Sequence, residues 1–115
     1  MILGIGTDIV EIDRVRKAIS DAFMRKVLSP KEMERTASMS EERKIQFIAG
    51  RFAAKEAIIK CLSGYERPIM SELNIVNDRE GKPGILYKDY SILVSISHEK
   101  TYATAIAILQ ESEQI

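Results

Sequence analysis

The chain reads as an α+β protein in which a small, antiparallel-rich sheet packs around one long helix. Three stretches predict this. A helical pattern runs unbroken from Ser40 to about Ser63. Near the C-terminus two alternating runs, Ile92 to Ser97 and Tyr102 to Leu109, are joined by His98-Glu99-Lys100-Thr101 in the manner of a hairpin. The N-terminal run Met1 to Ile12 also has the period of a strand.

Taken in order, the first strand puts Ile2, Gly4, Gly6, Asp8, Val10 and Ile12 on one face and Leu3, Ile5, Thr7 and Ile9 on the other. Both faces are apolar, which predicts a central strand. Asp13 is the expected N-cap of a short helix carrying Val15, Ala18 and Ile19, and Asp21 that of a second with Phe23, Val27 and Leu28. Ser29-Pro30-Lys31-Glu32 is a stronger start signal: Ser, Pro at the first helical position and Glu three residues after the Ser form a capping box, and this helix is expected to reach about Ala37. Ser40-Glu41-Glu42 opens the long helix with acids at the positive end of its dipole, and Ser63-Gly64 stops it after about 33 Å. Its apolar residues lie on two sides, Ile45, Ile48, Ala49, Phe52 and Ile59 on one and Phe47, Ala54, Ile58 and Cys61 on the other, as befits a helix between layers. Leu73 and Ile75 alternate before a turn-rich stretch from Asn77 to Gly84, Ile85 to Tyr87 is a further short strand, and Gln110 to Ile115 reads as a polar tail.

Size and charge bound the function. One domain over residues 1–115 holds a single core but not a deep, enclosed substrate cavity, so a large active site requires a neighbouring subunit. Seventeen Lys and Arg balance seventeen Asp and Glu, which argues against nucleic acid as a partner. The lone Cys61 can build neither a disulfide framework nor a thiolate zinc site and fits a reducing cytoplasm, while the N-terminal apolar run is too short for an anchor or signal; a soluble protein off the membrane is expected.

Two carboxylates stand where apolar residues are expected. Asp8 follows two glycines on the face it shares with Ile2 and Val10, and glycine inside a strand admits close approach of another backbone or a ligand. Glu56 falls within about 40° of Phe52 and Ile59 on the helical wheel, inside the main apolar stripe. Either has an ordinary explanation, a tight strand–helix contact for the glycines and a Glu56–Lys60 helix pair for the acid. Together they suit a hard cation such as Mg2+ that retains water and takes its other ligands from a phosphate, with Lys60 and Arg51 as counter-charges, Arg51 pointing to a different side of the helix. His98 ends a strand with no second histidine near it, and no Gly-x-Ser-x-Gly elbow or phosphate-binding loop is present. Arg14, Arg16, Lys17, Arg25 and Lys26 against Asp21 alone form a basic segment suited to an acidic partner.

Three segments together resemble the holo-acyl-carrier-protein synthases, a family of 4′-phosphopantetheinyl transferases: Gly4-Ile5-Gly6-Thr7-Asp8-Ile9-Val10-Glu11-Ile12 followed by Arg14, Arg51-Phe52-Ala53-Ala54-Lys55-Glu56-Ala57 followed by Lys60, and Ser95-Ile96-Ser97-His98. Asn77-Asp78 and Gly81-Lys82-Pro83 match in kind and order, while Cys61 to Glu66 stands where the family usually has a glycine-rich turn. The resemblance implies the phosphopantetheinyl transferase fold with active sites at the interfaces of a homotrimer. It implies transfer of 4′-phosphopantetheine from coenzyme A to a serine of apo acyl carrier protein, releasing adenosine 3′,5′-bisphosphate. Asp8 and Glu56 match its Mg2+ ligands, Lys60 a phosphate-contacting lysine, and Arg51, Lys82, Pro83 and His98 positions that line the coenzyme. Arg14 and Arg25 are the expected carrier contacts. The rival reading is a non-catalytic trimeric module that binds coenzyme A or an acidic protein; a two-carboxylate nuclease or phosphatase is disfavoured by the neutral charge.

Overall fold

The computed structural model describes residues 1–62, 64 and 67–111. Strand β1 (Ile2–Glu11) leads into three short helices, α1 (Ile12–Ala18), α2 (Asp21–Val27) and α3 (Pro30–Thr36), then the long α4 (Glu41–Cys61). A 3-10 turn at Met70–Glu72 precedes β2 (Val76–Asn77), β3 (Pro83–Tyr87), β4 (Tyr90–His98) and β5 (Tyr102–Glu111). All five strands form one antiparallel sheet in the order β1-β5-β4-β3-β2.

The strand expected to be central is therefore an edge. Among the described residues β1 pairs only with β5, Asp8 opposite Ala105, and β5 and β4 hold the middle. Its second apolar face looks away from the helices, where Ile5 and Ile9 are 61% and 62% exposed. Ile106 and Ile108 of β5 continue that face, together with Leu93, Ser95 and Ser97 of β4, and among the described residues no element covers it. Alternation alone cannot separate a strand buried on both sides from one whose outer face is bare.

The inner face meets α4 through small residues. Ala53, Ala54 and Ala57 of the helix and Ala103, Ala105 and Ala107 of β5 are all buried, so the helix axis lies close to the sheet. Contact is closest at the glycines of β1: a Cβ on Gly4 would stand 2.3 Å from the Cys61 carbonyl oxygen, and one on Gly6 2.1 Å from that of Ala57. Strand and helix backbones thus touch directly. On the other side of α4, Ile12, Val15, Met24, Val27 and Leu28 of the short helices pack on Ile45, Phe47 and Ile48 in a second core, so the helix does lie between layers.

The caps correct two expectations and bear out two. α1 begins before Asp13, which lies in its first turn, and Ser20 rather than Asp21 caps α2, its hydroxyl accepting the Phe23 N–H at 3.0 Å. The Ser29–Glu32 box forms in both directions, and Ser40 caps α4. Leu73 and Ile75 are buried plugs ahead of a strand that starts only at Val76. The hairpin turn after His98 is held by the Glu99 carboxylate, which accepts the Thr101 and Tyr102 N–H groups at 2.8 Å each. Ser63, Tyr65 and Glu66 of the expected helix stop and altered turn, and the tail beyond Glu111, lie outside the described residues. Among the described residues no helix is long and apolar enough to cross a membrane.

Candidate active site

Asp8 and Glu56 line one cleft of about 450 Å3 between β1, α1, α2 and α4, with Arg14, Phe23 and Phe52 among its walls. The glycine contacts bring their backbones together: Gly6 sits against Ala57, each the near neighbour of one acid. Lys60, one helical turn beyond Glu56, is paired with Asp8 instead of Glu56. Its ammonium donates to Asp8 Oδ1 at 3.1 Å and to the Thr7 carbonyl at 2.9 Å. The pair is partly open, with the Asp8 side chain 17% and that of Lys60 53% exposed, so it is a weak bond that another charge can replace. Asp8 and Lys60 also border a shallow hollow of about 470 Å3 on the bare outer side, beside Ser95, Ser97 and Thr104.

The donor set fits a hard cation. Asp8, Glu11 and Glu56 are the carboxylates that line the cleft, no His or Cys lines it, and among the described residues no three His, Cys, Asp or Glu side chains converge on a metal position. Mg2+, which keeps several waters and completes its octahedron from a phosphate, suits such a site. Cys61 is no alternative ligand: burial pushes its thiol up to about 11 and its Sγ–H donates to the Ile58 carbonyl.

A second, cationic cleft of about 220 Å3 lies on another side of α4, lined by Arg51, Pro83 and His98 together with Arg35, Arg43 and Phe47. It shares no lining residue with the carboxylate cleft. Glu56 lies five positions after Arg51, which sets them about 140° apart around the helix. Lys82 is not drawn in: its ammonium reaches Glu80 at 3.4 Å on the exposed turn, while its neighbours Gly81 and Pro83 border the cleft.

Arg51 belongs to a buried ionic knot centred on Glu32. Lys55, fully buried, donates to Glu32 Oε1 at 2.5 Å and to the Val27 carbonyl at 2.7 Å. The same carboxylate accepts the Ser29 N–H at 2.8 Å and the Ile75 N–H at 3.1 Å, with Arg51 Nε 3.3 Å from its other oxygen. Burial holds both the Lys55 ammonium and the Arg51 guanidinium below their usual ranges, against the pull of Glu32. The guanidinium groups of Arg51 and Arg35 lie over the Phe47 ring, 4.7 and 5.0 Å from its centroid.

Sequence reasoning missed Glu32, Lys55, Arg35 and Arg43. Glu32 was legible only as a cap, though a lysine inside the same alanine-rich run as Glu56 was a signal that a buried partner existed. The basic segment is also less basic than it reads. Arg16 makes a two-pronged bridge to Glu42 at 2.6 and 3.0 Å and touches Asp13, which hold its guanidinium above the usual range. Arg14 opens on the carboxylate cleft, whereas Arg25 borders a separate pocket with Leu28, Pro30 and Met33.

The sequence pattern of the 4′-phosphopantetheinyl transferase superfamily matches residues 4–107. The chain belongs to that superfamily. Curated relatives named holo-[acyl-carrier-protein] synthase agree along their length: that of Oceanobacillus iheyensis is 38% identical over 98% of this chain and 100% of its own, and that of Staphylococcus haemolyticus 39% over the same shares. Among solved structures, the Bacillus anthracis synthase in complex with CoA (3′,5′-ADP) superposes with a TM-score of 0.88 at 36% identity, covering 97% of this chain and 99% of that one. The Neisseria meningitidis synthase gives 0.83 at 28%, covering 96% and 100%. Membership makes the chain a transferase of the phosphopantetheinyl group, and the expected α+β fold with its antiparallel sheet and long helix is the fold of these structures.

Proposed function

We propose that the chain transfers 4′-phosphopantetheine from coenzyme A to a serine of apo acyl carrier protein, with Mg2+ held by Asp8 and Glu56. The observation that carries this reading is that Asp8 and Glu56 line one cleft while the Lys60 ammonium is hydrogen-bonded to Asp8. The serine oxygen attacks the phosphorus nearer the pantetheine, its bond to the bridging pyrophosphate oxygen breaks, and adenosine 3′,5′-bisphosphate departs with the electron pair. Glu56 takes the serine proton through a water. Lys60 leaves its partly exposed bond with Asp8 for a pyrophosphate oxygen, stabilising charge that grows there. A bound Mg2+ would supply Lewis-acid neutralisation of the same oxygens.

The active form in this reading is a homotrimer whose sites lie between copies. Three features support it: the bare apolar sheet face, the small size of each cleft, and the separation of the carboxylate and cationic clefts within one chain. A neighbouring copy seated on the outer face brings its own Arg51, Pro83 and His98 toward this copy's Asp8, Glu56 and Lys60. Arg14, at the mouth of the carboxylate cleft, and Arg25 then meet the acidic carrier protein, and a reducing cytoplasm is the compartment. Incubation with coenzyme A, Mg2+ and apo carrier protein, followed by intact mass, tests the reading: a carrier heavier by one phosphopantetheine is expected. Tight coenzyme binding with an unmodified carrier would leave a binding module instead.

A further inference from the structure

The ionic knot is unbalanced, and the imbalance has a direction. One carboxylate, Glu32, faces two cations, Lys55 and Arg51, all three buried, so the cluster holds one positive charge more than it neutralises. The carboxylate is not shared equally. Lys55 takes Glu32 Oε1 at 2.5 Å, while Arg51 Nε stands 3.3 Å from the other oxygen, an ion pair without hydrogen-bond geometry, and has no hydrogen-bond partner among the described residues. An arginine beside a free carboxylate would normally form a two-pronged, charge-assisted pair. Here the second oxygen is already engaged by the Ile75 N–H and the first by Lys55 and the Ser29 N–H. Arg51 is left stacked on Phe47 and facing a cleft in which Arg35, Arg43 and His98, and no carboxylate, are the other charged or titratable walls.

We infer that Lys55 is a positioning residue: by occupying Glu32 Oε1 it keeps Arg51 from tightening its 3.3 Å contact into a two-pronged, hydrogen-bonded pair with that carboxylate and reserves the guanidinium for a phosphate of the incoming coenzyme. This rests on the proposed coenzyme reading of the cationic cleft. A bound anion in the cleft would offset the surplus charge that the single carboxylate leaves. The cost of leaving a buried cation short of a partner is thereby recovered on binding, which raises ligand affinity. Lys55 never touches the ligand.

The test is calorimetric titration of the full chain with coenzyme A, and separately with adenosine 3′,5′-bisphosphate. In Lys55→Met, Arg51 is the sole cation near Glu32 and swings onto it. Affinity for both ligands should fall about tenfold (~1.4 kcal/mol) while kcat at saturating coenzyme holds. Adding Glu32→Gln to Lys55→Met removes the competing charge and should restore most of the lost affinity, a rescue that mere loss of packing does not predict. Lys55→Gln, which keeps a donor for the Val27 carbonyl, serves if the Met variant does not fold. Glu32→Gln alone should bind at least as tightly as wild type. Wild-type affinity in the Lys55 variants, or no rescue in the double variant, would overturn the inference while leaving the coenzyme reading intact. Failure of the wild-type chain to bind coenzyme A would overturn both.

Discussion

The two clefts flanking α4 are built on opposite principles. The carboxylate cleft is assembled by backbone contact, Gly4 and Gly6 against the last turns of the helix, and the ion pair of Asp8 with Lys60 is partly exposed. The cationic cleft is anchored by side chains instead, with Glu32 and Lys55 sealed from solvent and an aromatic ring under two guanidiniums. Groups that must change partners during a reaction gain from solvent, which keeps their bonds weak and exchangeable. Groups that hold a fixed ligand charge gain from burial, which keeps them in one place.

The sharpest way to break this contrast is at Gly6. A valine there drives its side chain into the Ala57 carbonyl oxygen and the Cys61 amide, where neither backbone can yield, and should cost about 3 kcal/mol or more by urea unfolding if the chain folds at all. Next come Asp8→Asn and Glu56→Gln, each expected to lower turnover about 100-fold or more (~2.7 kcal/mol) while the thermal midpoint stays within a few degrees of wild type. Near-normal turnover by both at ordinary Mg2+ would remove the cation site. Mixing Glu56→Gln with His98→Ala should recover part of the activity that neither has alone, because in the proposed trimer one interface of a mixed assembly carries two intact halves. No recovery would put both clefts to work within a single chain.

Smaller effects concern the approach of the carrier. Arg14→Glu should raise the KM for carrier protein about tenfold (~1.4 kcal/mol) and that for coenzyme A little, with a flatter salt dependence than wild type. Arg25→Glu, on a different pocket, should act less strongly. The least effect belongs to the Arg16–Glu42 bridge that ties α1 to α4. Arg16 holds the Glu42 carboxyl below its usual 4.5, so the bridge contributes stability present above that pH and lost as pH falls through the lower folded value. Acid titration of Glu42→Gln should lack that part of the wild-type slope.

What could be read from the sequence was whatever a local rule governs. The Ser29–Glu32 box, the extent of α4 and the hairpin after His98 follow from caps, periodicity and turn residues within a few positions, and Asp8 and Glu56 stood out because each breaks an apolar pattern. Long-range partners were not legible. Glu32 satisfies the capping rule by itself, so nothing nearby signals its bond to Lys55, 23 residues on. Arg35 and Arg43 look like a solvated helix face until the end of β4 is folded beside them. The edge position of β1 was hidden because an uncovered apolar face and a buried one are written in the same residues.

The glycine contacts bear on how this molecule tolerates change. Since main chain rests on main chain at Gly4 and Gly6, the spacing between the Asp8 and Glu56 backbones is a ruler made of peptide groups rather than of side-chain bulk. Ile58, Leu73, Ile92 and Leu109 elsewhere in that core can drift among apolar alternatives, each altering stability by a little, without lengthening or shortening the span between the two acids. Catalytic geometry and core composition are thereby uncoupled, and sequence divergence can accumulate in one while the other stands still.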